Sequence, residues 1–126
     1  MHYEVAAIVD GTLPRAQASR LAAAAMRARH RFHCRAGGVL WDGFSLLAVR
    51  RASETVGFES PVGFVTVSSD RPTRKSDPRW YEHRDEVFFG YDGDDDVAAC
   101  DAAWQRWQAE RPNDWVFVYD VHEWLA

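Results

Sequence analysis

The residues most able to do chemistry lie together between Trp80 and Asp96, in WYEHRDEVFFGYDGDDD. His83, Asp85 and Glu86 stand within four positions of one another. A histidine beside carboxylates can trade protons near neutral pH. On a strand His83 and Asp85 would share a face; on a helix His83 and Glu86 would. The basic loop just before it, residues 71–79, brings Arg71, Arg74, Lys75 and Arg79, which could clamp a phosphate or carboxylate. One reading is therefore a small enzyme or ligand-binding domain for an anionic, phosphorylated substrate. Ser68, Ser69 and Cys34 are possible nucleophiles, but none sits in a recognisable elbow. The HRD triplet lacks every other kinase motif.

A second reading treats the same stretch as a docking surface. Asp85, Glu86, Asp92, Asp94, Asp95 and Asp96 could present carboxylates at roughly the density of phosphates. Trp80, Tyr81 and Tyr91 could anchor the rim, since aromatic residues concentrate binding energy. Charge supports this reading. Residues 80–126 hold three arginines against twelve acids, a net of −9, while residues 1–40 carry a net of +4; the whole chain is −4. Such a split can steer a charged partner from a distance. The preferred expectation is a small non-enzymatic binding or inhibitor protein that engages a basic, nucleic-acid-handling protein. Phage anti-defence and toxin-immunity proteins work in that manner; the analogy is one of charge and size, not of sequence.

Other chemistries lose on spacing. HRFHC has neither the CxxC nor the HxxxH pairing of zinc sites. DGDDDV lacks the twelve-residue EF-hand pattern and its closing glutamate. Gly37-Gly38 has neither GxGxxG nor Walker spacing. No metal and no cofactor is expected. The arginines from Arg15 to Arg35 lack interleaved aromatics for stacking on bases, which argues against direct nucleic-acid binding.

These residues need elements to hold them. At 126 residues, 47% of them hydrophobic, the chain suits one α+β domain spanning 1–126. No apolar run is long enough to span a bilayer. The N-terminus lacks a basic, apolar, small-residue leader pattern, and two cysteines make no disulfide framework, so a cytoplasmic setting is expected.

His2 to Val9 reads as a central strand apolar on both faces. Thr12 reads as the cap of a helix to about His30, with LAAAAM at its heart. Arg31 to Trp41 and Phe44 to Arg50 read as strands joined by an Asp42-Gly43 hairpin turn. Glu54 to Glu59 and Val62 to Ser68 read as a second hairpin. Asp70 to Arg79 is a loop, and Trp80 to Tyr91 is ambiguous between strand and helix. Val97 to Arg111 reads as a helix with Val97, Cys100, Trp104 and Trp107 on one stripe. Trp115 to Val121 closes as an alternating strand. The expected architecture is a mainly antiparallel sheet with two principal helices on one face, and a split βαβ-like core with inserted hairpins.

Overall fold

The computed structural model describes residues 2–36, 40–55, 61–90 and 94–124. The fold is α+β: two helices and a five-stranded, mostly antiparallel sheet. In chain order these are β1 (His2–Val9), α1 (Arg15–Ala36), β2 (Leu40–Arg51), β3 (Gly63–Val67), β4 (Glu86–Phe89), α2 (Asp94–Glu110) and β5 (Trp115–Trp124). Short 3-10 turns cover Ala52–Thr55 and Pro78–Trp80. The strand order is β2-β5-β1-β3-β4. Strand β1 pairs with β5 antiparallel and with β3 in parallel. β2 is antiparallel to β5 and β4 to β3.

β1, α1 and β2 form a split βαβ unit, as the sequence suggests. β1 and β2 run parallel, and β5 is threaded between them in the opposite sense. The helices, however, do not share a face. Val5, Ala7 and Val9 of β1 pack with Ala18, Leu21, Ala22, Ala25 and Met26 of α1. Ala6 and Ile8 pack instead with Cys100, Ala103 and Trp104 of α2. The reason is topological. The β1–β2 and β4–β5 connections step the same way across the sheet, but from strands that run in opposite directions. Two crossovers of equal hand must then lie on opposite faces, and connections of this kind are overwhelmingly right-handed.

Helix α1 is capped two residues later than Thr12 and starts at Arg15. The Asp10 carboxylate accepts both the backbone N–H and the hydroxyl of Thr12, each at 2.9 Å. The first helical hydrogen bond runs from Ala18 N–H to the Pro14 carbonyl at 3.0 Å. Pro14 is thus the capping residue, a place where a missing N–H costs nothing. The helix also runs on through Ala36 rather than ending near His30. No glycine or proline interrupts residues 15–36, so nothing stops it. The strand expected over Arg31 to Trp41 is therefore helix as far as Ala36 and strand only from Leu40, and Gly37-Gly38 lies outside the described residues.

The Asp42-Gly43 hairpin does not form. Leu40–Arg51 is one continuous strand along β5, from Leu40 opposite Trp124 to Arg51 opposite Trp115. Its register slips between Trp41 and Gly43 and again between Leu46 and Ala48. Each extra residue is absorbed as a bulge, and pairing along all of β5 outweighs a local turn preference. The second hairpin fails similarly: Ala52–Thr55 is a 3-10 turn, and β3 pairs with β1 and β4. Residues 56–60 are outside the described set.

The α2 side of the sheet depends on Phe64. It is fully buried, stacks on Phe88 at 4.6 Å and touches Trp104 at 5.5 Å between ring centres. Phe64→Ala is expected to lower stability by about 3–5 kcal/mol, from lost burial plus a cavity; urea unfolding measures it. On the α1 side, burial pushes the Tyr119 phenol up to about 12 from its ordinary 10. Unfolded chains ionise first, so stability should hold below pH 10 and fall as pH rises through 12. Denaturation midpoints across that range should show the fall, and Tyr119→Phe should flatten it.

Candidate functional site

The long connection between β3 and β4 is ordered by its own polar residues. Asp77 accepts the Arg79 N–H at 2.9 Å and caps the turn Pro78–Trp80. The Arg79 carbonyl then takes the N–H groups of Glu82 and His83 at 3.2 and 2.9 Å. Ser68 Oγ donates to the Asp70 carboxylate. That contact holds Asp70 below the ordinary carboxylate range.

Asp85 is the hub of the connection. Its Oδ2 takes Arg71 Nη1 at 2.5 Å. Its Oδ1 takes the Ser68 N–H at 3.2 Å and His83 Nε2 at 3.0 Å. The Arg71 and Asp85 side chains are only 2% and 6% exposed. Burial pulls Arg71 below its ordinary basicity, and the Asp85 charge opposes that pull. Guanidinium stays protonated in proteins regardless. Arg71 and Arg27 of α1 both approach the Trp80 ring, at 5.8 and 5.9 Å from its centre. The arrangement is a clamp that fastens the connection beside α1. The carboxylate has three donors on it, which suits holding a loop better than passing protons.

This changes what the sequence-derived candidates can do. Trp80 is buried and cannot be a rim anchor. Asp85 is tied into the internal ion pair with Arg71. Tyr81 is half exposed, and Glu86, the first residue of β4, is exposed. Asp94 and Asp95 open α2, and Asp96 behind them is exposed. Tyr91 and Asp92 lie outside the described residues. The proposed phosphate clamp is also divided: Arg71 is inside, Arg79 pairs with Asp77 at 3.0 Å, and Arg74 and Lys75 point outward as exposed residues. His33 and Cys34 lie on the last turns of α1, not on a strand. Among the described residues, no cluster of three or more His, Cys, Asp or Glu could hold a metal ion. No described helix is long and apolar enough to cross a membrane.

A cleft lies where sequence reasoning did not look. β1 and β3 are parallel neighbours, and the chain leaves their carboxyl ends in opposite directions, toward β2 and toward β4. Such a divergence opens a crevice in open sheets and is a habitual ligand site. Here a cleft of about 270 Å³ is lined by Ile8 and Asp10 of the first strand end and Thr66, Val67 and Ser68 of the second. Arg84, Asp85 and Glu86 wall one side; Trp107, Arg111 and Asp114 wall the other. A second cleft of about 580 Å³ adjoins it, sharing Asp10, Arg111 and Asp114.

The floor between them is rigid. Asp114 is buried and takes Arg111 Nε at 2.9 Å, Arg111 Nη2 at 3.2 Å and the Gly11 N–H at 3.1 Å. Gly11 must be glycine, because a Cβ there would stand 1.8 Å from the Asn113 carbonyl oxygen. Arg51 lies 3.4 Å above the Trp115 ring centre and donates to the Gly11 and Asn113 carbonyls at 3.0 and 2.8 Å. The sequence signal for this corner was Asp10-Gly11 after a buried strand. Only the parallel pairing of β1 with β3 turns that strand end into a crevice.

No protein-family model, no curated protein and no solved structure matches this chain.

The clamp is testable by its energetics. Asp85→Ala strands a buried guanidinium and should cost about 3–5 kcal/mol in chemical denaturation. The double variant Arg71→Met with Asp85→Leu should recover most of that loss, because an apolar pair has no charge to desolvate.

Proposed function

We propose that the protein works by binding a basic macromolecular partner along the β4 edge of its sheet, without chemistry of its own. The observation that supports this best is the first turn of α2. Asp96, Val97, Ala98 and Ala99 are all exposed, and Val97, expected on the buried stripe, is 44% exposed. An apolar step beside Asp96 gives a partner something to bury next to the charge that attracts it.

Neighbouring groups extend that surface. Gly90, just past β4, abuts Val97, since a Cβ on Gly90 would lie 3.0 Å from the Val97 Cα. Glu86 stands at the other end of β4, about 13 Å away at ~3.3 Å per residue. Exposed Glu82 and half-exposed Tyr81 precede it. Acids therefore bracket an edge strand. Glu86, Asp94, Asp95, Asp96 and Tyr81 carry the reading; Trp80 and Asp85 support the loop from inside. The partner that fits is a basic groove, such as that of a nucleic-acid-handling protein, occupied as an inhibitor would occupy it. The free, buried thiol of Cys100 suits a cytoplasmic setting.

The test is capture from the native host's lysate with wild type and with the triple variant Asp94→Lys, Asp95→Lys, Asp96→Lys. Wild type should recover a basic protein that salt releases, and the triple variant should associate with it at least ~10-fold more slowly at low salt. Unchanged association of the triple variant would sink the proposal.

A further inference from the structure

The 270 Å³ cleft at the ends of β1 and β3 has an uneven inventory of polar groups. Most of its carboxylates are already engaged. Asp85 holds Arg71, His83 and the Ser68 N–H. Asp114 holds Arg111 and the Gly11 N–H. Asp10 holds Thr12, whose backbone and hydroxyl contacts keep its carboxyl below the ordinary range.

The donors are different. The indole Nε1 of Trp107 is buried and has no hydrogen-bond partner among the described residues. Such a group ordinarily costs stability unless something accepts from it. Arg111 commits Nε and Nη2 to Asp114, which leaves Nη1. Arg84 is pinned by Nη1 on the Tyr81 and His83 carbonyls at 3.2 and 3.3 Å, which leaves Nε and Nη2. Two arginines with N–H groups to spare, and the tryptophan that carries the buried indole N–H, thus line a cleft in which Glu86 is the carboxylate without a partner among the described residues.

Charge narrows what could fit. Arg84 and Arg111 face four carboxylates in the lining, a net of −2, which Arg71 behind Asp85 reduces to −1. A simple anion meets net repulsion. A simple cation leaves the indole N–H with nothing to bond. A neutral molecule carrying both a carboxylate and an ammonium group meets neither objection. The volume is at the small end for ligand sites and suits a metabolite more than a drug-sized molecule.

We propose that this cleft binds a small zwitterion of the α-amino acid type, with its carboxylate on Trp107 Nε1, Arg84 and Arg111 and its ammonium on Glu86. The site is separate from the α2 first turn but shares Glu86 with the β4 edge, so a macromolecule docked over Glu86 would compete with the ligand.

The probes are the standard L-amino acids, with acetate and ethylammonium as its two halves, titrated into ¹⁵N-labelled full-length protein. The Trp107 indole resonance, assigned by its loss in Trp107→Phe, is the reporter. At least one amino acid should shift it saturably, and neither half should do so at equal concentration. Glu86→Gln and Arg84→Met should each weaken that binding ~10-fold, the scale of one charge-assisted hydrogen bond. Both residues are exposed, but Arg84→Met also gives up its bonds to the Tyr81 and His83 carbonyls, so Glu86→Gln is the deciding variant. The proposal is overturned if no amino acid moves the indole resonance, if acetate alone binds as well, or if Glu86→Gln binds unchanged.

Discussion

Strand β1 is sealed from water to within 2% exposure from Val5 to Val9. Both its edges are hydrogen-bonded, to β5 and to β3, and both its faces are covered, by α1 and by α2. Everything else is arranged to satisfy that one buried segment. Alternate residues face opposite sides of a strand, so burying all five requires a helix on each side. The small side chains Ala6 and Ala7 let the helices approach closely. Every backbone N–H and C=O in that stretch needs a partner strand, because none can reach solvent.

Where β1 ends, that constraint is released and the chemistry begins. Asp10, Gly11 and Thr12 turn the chain toward α1, while Ser68 turns its parallel neighbour the other way. The crevice between them follows from connectivity, and its walls come from the α2–β5 corner and the start of β4. Polar groups gather there because backbone and side chains emerging from a sheet edge must find partners. Most do so among themselves, in the Arg111–Asp114 and Arg71–Asp85 pairs. Among the described residues, the Trp107 indole N–H, the remaining N–H groups of Arg84 and the Glu86 carboxylate are left with chemistry to spare.

The acidic stretch that dominates the sequence divides on folding into inside and outside parts. Asp85 and Trp80 go inward, where an arginine from the loop and another from α1 flank the ring. Glu86 and Asp96 stay in solvent. Local density of charge cannot distinguish the two fates. The difference is made by Arg71, fourteen residues away from Asp85, whose burial is tolerable only with a carboxylate beside it. The same holds for β2, where the turn preference of Asp42-Gly43 gave way to ten paired positions along β5.

Residue order alone was enough to locate both helices, the central and final strands, the α+β class and the split βαβ core. Those features rest on periodicity, on strong helix formers and on a strand apolar on both faces, all of which are local. Helix placement on opposite faces, the loss of the hairpins, the internal clamp and the crevice needed the folded chain. Each depends on which strand lies beside which, and on partners distant in sequence, and a one-dimensional pattern carries no term for either.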